Sequence, residues 1–174
     1  MFKNKTPKVS KENILYNNIL SLSRNKLFYT KLQLSDTFQN RINLIFIHMS
    51  FLFVKIKQNT NKDIYKDFYQ NTFDIIFKQI ELNMREVGYG DVSVNKKMKL
   101  LVKSFYNILL YCENFDYKKI EANNHFFSKY LEKNNKQIMA NNEDLINYFH
   151  KFQSFCFDLK PNSVLKGEIN FKYI

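Results

Sequence analysis

Apolar residues recur at helical spacing along almost the whole chain, and only a few polar or glycine-bearing stretches break the repeat. Ile14, Leu15, Ile19 and Leu22 place a first helix over Lys11 to Arg24. A short second piece carries Leu27, Phe28, Tyr29 and Leu32, and Ser35-Asp36-Thr37 is a start signal for the next helix. From Asp36 to about Lys57, the residues Phe38, Ile42, Ile45, Met49, Phe53 and Ile56 form one stripe. Leu44, Ile47, Phe51 and Val54 occupy its other sides, so this helix is apolar nearly all round and is expected at the centre of a core. After a polar break at Gln58 to Lys62, a helix is predicted to run to Val87 on Tyr65, Tyr69, Phe73, Ile76, Ile80 and Met84. Asp74 with Lys78 and Glu81 with Arg85 give it acid-first i,i+4 pairs on a solvated face.

The break that follows contains two of the chain's three glycines, Gly88 and Gly90. Gly88 suits the residue just past a helix end, where positive φ is needed. Asp91 or Ser93 can then cap a new helix, predicted over about Ser93 to Cys112. Val94, Met98, Leu101, Phe105, Ile108 and Cys112 line one side of it. Lys96, Lys99 and Lys103 line the opposite side, continued by Tyr106 and Leu110. Cations in a first helical turn oppose the helix dipole. The early lysines therefore suggest an outside partner, although an ordinary solvated lysine face explains the spacing equally well. Further on, His125 to Leu131 reads as helical. Asn142 is placed to cap a helix bearing Leu145, Phe149, Phe152, Cys156 and Leu159, which Pro161 ends. Ile169, Phe171 and Tyr173 alternate, but three terminal residues do not define a strand.

These elements make an all-α, single compact domain of about six helices with a Gly-x-Gly-Asp helix–turn–helix corner. Residues 1–10 read as a flexible basic tail and residues 11–174 as the helical domain. Composition agrees: 174 residues with 45% hydrophobic content can bury a real core, and two prolines and three glycines disfavour turn-rich β-folds. The net charge of +11 suits nucleic acid, ribosome or anionic lipid as partner. The basic residues are scattered, however, and the richness in Lys, Asn, Ile and Phe is that of an AT-rich genome. Met1 to Lys11 lacks the apolar core of a secretory signal, and Leu44 to Val54 falls short of the ~20 residues that span a bilayer. A soluble or peripheral protein is expected.

Catalytic chemistry is not visible. Gly88-Tyr89-Gly90 lacks the rest of a dinucleotide-binding turn and follows a helix rather than a strand. His48, His125 and His150 are dispersed, without the spacing of metal ligands. Cys112 and Cys156 lie far apart on apolar faces and are expected as buried free thiols. The chain reads as a binding protein without cofactor or metal rather than as an enzyme.

Glu86 to Lys96, with Arg85, Met98 and Lys99, resembles the signature of the ubiquinol–cytochrome c chaperone family, approximately R-E-x-G-x-G-D-x-S-V-x-K-x-x-K. Phe105-Tyr106 matches an aromatic pair further along. Upstream, Leu15-Tyr16, Phe28-Tyr29 with Leu32, Asp36-Thr37, Arg41 and His48 resemble the family's opening pattern. Asn40 stands where a glycine is usual and Ile47 where a leucine is. The resemblance covers about residues 14–117, with a weaker match at Gly167, Ile169 and Phe171.

The resemblance implies an all-α assembly factor of the cytochrome bc complex (complex III) that stabilises newly made apo-cytochrome b. It also implies a small partner protein, the ribosome and peripheral contact with the inner membrane. Location would be cytoplasmic in a bacterium or the mitochondrial matrix in a eukaryote; the lack of a transit peptide favours the bacterium. No specific nucleic acid is implied. The candidate contact set is Arg85, Gly88, Gly90, Asp91, Ser93, Lys96, Lys99, Lys103 and Tyr106, with Arg41 and His48 as secondary candidates. The alternatives are a basic RNA- or ribosome-binding module and a peripheral lipid-binding protein, and the glycine corner itself is open between contact and scaffold.

Overall fold

The computed structural model describes residues 10–58, 62–134 and 142–173. The predicted tail lies outside them apart from Ser10, which caps the first helix by accepting from Asn13 N. The helices are α1 (Lys11–Ser23), α2 (Leu27–Thr30), α3 (Phe38–Lys57), α4 (Lys62–Glu86), α5 (Asp91–Glu113), α6 (Ile120–Tyr130), α7 (Glu143–Asp158) and α8 (Pro161–Leu165). Six are long, as the periodicity predicts, and no strand occurs among the described residues.

Helix α3 is the axis of the fold. Every residue from 42 to 54 is buried. Helix α5 covers it most extensively, with α1, α7 and α4 closing the remaining sides. Each fully buried Leu or Phe on such a helix contributes about 2–3 kcal/mol. The α3–α4–α5 contact is aromatic: Phe105 meets Phe46 edge-on at 5.2 Å and also packs against Phe53, Phe73 and Phe77. Edge-to-face pairs of this kind add about 0.5–1.5 kcal/mol beyond their area.

The start of α3 is fixed by polar groups. Thr37 is its N-cap and accepts from Asn40 N at 3.2 Å. The Asn40 carboxamide donates to Ser35 O and Glu132 O, both at 2.7 Å, and accepts from Glu132 N. Asn40 is buried and ties α3 to the segment after α6. A glycine could not make these bonds.

Three boundaries depart from the sequence reading. Helix α6 begins at Ile120, one turn and more before His125. Asn142 occupies the N-cap position of α7, but its side chain makes no cap bond. It donates instead to Asn124 O and Ser128 Oγ of α6. Pro161 does not end α7, which stops at Asp158; it opens α8, where its missing N–H costs nothing. Both cysteines are free and buried, and burial pushes their thiols well above the usual range.

Gly167 seals α8 against α1. Its φ is +73°, and a Cβ there would lie 2.7 Å from Leu15 N and 2.8 Å from Lys11 O. Its carbonyl accepts from Asn18 Nδ2 at 2.6 Å. Gly167→Ala combines a left-handed backbone with collision against main-chain atoms, and is expected to cost about 3 kcal/mol in urea unfolding.

Candidate partner-binding surface

The α4–α5 corner is built by backbone geometry. Gly88 has φ +98°. Gly88 N donates to Arg85 O at 3.0 Å and Tyr89 N to Met84 O at 3.1 Å, the two bonds of a Schellman stop. Gly90 is the N-cap of α5 with φ −71° and ψ 160°, and no side chain caps this end. Neither Asp91 nor Ser93 is the cap, and α5 starts two residues earlier than predicted. Asp91 pairs with Arg85, whose guanidinium also holds Glu81 at 2.9 Å. Arg85 and Asp91 thus staple the corner together.

This boundary corrects the dipole argument. The first turn of α5 contains the acid Asp91, which complements the helix dipole. Lys96, Lys97 and Lys99 lie beyond it, where the dipole effect has faded. They make no misfit, so the case for a partner rests on what they face. Val92, Lys96, Lys99, Lys103, Tyr106 and Leu110 are all exposed, at alternating spacings of four and three on one outward face. Val92 is 84% exposed and Leu110 60%, so apolar side chains bracket the three lysines. Ser93 is exposed beside Val92.

A groove of about 380 Å³ runs along one flank of α5. The start of α3, the corner and the end of α6 form its other walls. Phe38, Met84, Tyr89, Leu100 and Tyr130 supply its apolar surface, with Gln39, Asn43 and Ser104 among them. Lys97 and Lys129 stand at its walls, and no carboxylate lines it. Lys97 Nζ lies 4.9 Å from the Tyr89 ring and Lys129 Nζ 5.3 Å from the Tyr130 ring.

The secondary candidates fall elsewhere. Arg41 is exposed and bound to Asp36 through Nε and Nη2, at 2.7 and 2.8 Å. It borders a shallow depression of about 240 Å³ with Arg24, Glu86 and Val87, which places it on the far side of Phe38 from the groove. His48 has no exposed surface. Its Nδ1–H donates to Leu44 O at 2.7 Å and its Nε2 accepts from the Tyr148 hydroxyl at 2.8 Å. Rings of Phe28, Phe149 and Phe152 enclose it. As a contact residue His48 is corrected: it locks α3 to α7 inside the core, and burial pulls its pKa down to about 4.

The ubiquinol-cytochrome C chaperone family model matches residues 30–140. That is well over half of the chain. The chain belongs to the ubiquinol–cytochrome c chaperone family. No individually curated protein matches it. The crystal structure of the Cbp3 homolog from Brucella abortus superposes with a TM-score of 0.78 at 21% identity, covering 94% of this chain and 89% of that one. The likeness of fold therefore extends past the matched region to α1 and α7.

In this family member the matched region contains the corner, the lysine face and the groove. The sequence reading found the first two and missed the groove. Its signal was present in Leu100, an apolar residue on α5 that belongs to neither the buried stripe nor the lysine face and is 58% exposed. Among the described residues no three His, Cys, Asp or Glu side chains group to hold a metal, and no helix is long and apolar enough to cross a membrane.

Nothing lies within 4 Å of a Cβ at either corner glycine. Gly88→Ala should then cost only its left-handed backbone, about 1–2 kcal/mol in urea unfolding. Gly90→Ser should cost nothing or gain a few tenths of a kcal/mol, because the extended N-cap geometry welcomes serine. His48 stays neutral when folded until about pH 4, whereas unfolded histidine protonates near 6.5. The unfolded state therefore gains a proton across that window. Stability should fall by about 3 kcal/mol as pH drops through it, and His48→Gln should flatten that fall in pH-dependent unfolding.

Proposed function

We propose that this protein is an assembly chaperone for ubiquinol–cytochrome c reductase (complex III), and that it binds and stabilises newly made apo-cytochrome b. Membership of the family over residues 30–140 carries the reading. The surface supports it in kind. Lysines bracketed by exposed Val92, Tyr106 and Leu110 suit contact with an apolar chain emerging beside an anionic surface. The contact set is the outward face of α5, namely Ser93, Lys96, Lys99, Lys103 and Tyr106, with Arg85, Gly88, Gly90, Asp91 setting and flanking its near end. Arg41 borders the same corner from the other side. The protein acts as a binder rather than an enzyme, at the inner membrane surface, with a small assembly partner and the ribosome as further contacts.

Loss of the gene should lower mature cytochrome b while its transcript stays level, read by haem spectra and RNA blot. A Lys99→Glu/Lys103→Glu chain that keeps its helical circular dichroism should fail to restore it. Crosslinking from position 99 or 103 in cells should capture cytochrome b. Normal cytochrome b in the deletion strain sinks the proposal. Capture of ribosomal RNA alone, lost steeply with salt, would assign the face to nucleic acid instead.

A further inference from the structure

We infer that the groove between the start of α3, the α4–α5 corner, α5 and the end of α6 holds a peptide segment of the client that pairs aliphatic or aromatic side chains with a carboxylate. The inference rests on the chaperone reading and adds the chemistry of what is held.

Charge decides the class of ligand. Two ammonium groups, Lys97 and Lys129, stand at the walls, and no acidic side chain lines the space between them. Each is placed over a tyrosine ring, and no ion pair links either to a carboxylate among the described residues. A cation held on an aromatic face keeps most of its attraction for an incoming anion, at about 0.5–1 kcal/mol for the ring contact it already has. The neighbouring apolar surface is real: Leu100 is 58% exposed, and Phe38 and Tyr89 are each 38% exposed. Large apolar groups left in water beside two lysines match a segment that carries both characters.

Shape and polarity favour peptide over lipid. The groove is open along one side, so it fits side chains of a passing chain rather than enclosing a small molecule. The Asn43 carboxamide is already engaged, accepting from Gln39 Nε2 and donating to Tyr130 O, so the polar capacity left along the groove is the Gln39 amide oxygen and the Ser104 hydroxyl. Peptide N–H groups can donate to both, whereas an acyl chain would cover them without a partner at a cost. The ends of three helices and the family's glycine corner form the walls, so the site is held by rigid elements.

The test uses the full chain and two dye-labelled nonapeptides. One carries two phenylalanines and a leucine between glutamates; its twin has lysines in place of the glutamates. Fluorescence anisotropy should show the acidic peptide binding and its twin not binding. Lys97→Glu/Lys129→Glu should weaken the acidic peptide roughly tenfold or more. Lys97→Gln/Lys129→Gln, which removes charge without repulsion, should fall between. Lys118→Glu/Lys119→Glu makes the same charge change outside the groove and should bind like the unchanged chain. The inference is overturned if a folded charge-reversed chain keeps full affinity, if the twin binds equally, or if the reversal abolishes flotation with phosphatidylglycerol vesicles while sparing the peptide. In cells the two readings separate. Normal cytochrome b after gene deletion removes the chaperone reading itself. Low cytochrome b that the charge-reversed chain fully restores removes the groove alone.

Discussion

A helix with no side left for water sets the terms for everything around it. From residue 42 to residue 54, α3 is buried on every face, so each neighbouring helix exists in this position to cover one of its sides. The polar members of α3 find partners inside the protein, the buried Ser50 hydroxyl excepted. Asn40 and Asn43 reach the segment around Tyr130 and Glu132, and His48 reaches Tyr148. These bonds do more than satisfy buried groups. They choose one register for α3 against α6 and α7, where apolar packing alone would tolerate several.

The same demand gives α5 its two characters. One face must meet Phe46 and Phe53 and is closed to anything else. The face opposite carries lysines, and of its members Tyr106 alone has ring contacts to the core, with Phe73 and Phe105. The corner before it fixes the angle between α4 and α5 by main-chain bonds, with Arg85 drawing Glu81 and Asp91 together. A surface held this way is presented as a rigid body.

The central helix, the buried stripes and the lysine face were legible because each depends on spacing within one helix, which periodicity reads directly. The family signature was legible for the same reason: it is local. What escaped depends on residues far apart in the chain. Nothing near Asn142 says that its carboxamide will serve α6 rather than its own helix. Nothing near His48 names Tyr148 as its partner. The groove needs Phe38, Tyr89, Leu100 and Lys129 from four stretches, and no single stretch announces it. The start of α5 was misplaced because a side-chain cap was expected, whereas a glycine in extended conformation served as well.

The bond between His48 and Tyr148 joins residues 100 positions apart. A ribosome therefore releases α3 long before the helix that closes its last side has been made. Until α7 arrives, the imidazole and the ring of Phe51 have no complete enclosure. Contacts this distant in the chain form late and slowly. The core around α3 consequently closes only once α7 has been synthesised, and a chain stalled before α7 leaves one side of that apolar helix uncovered.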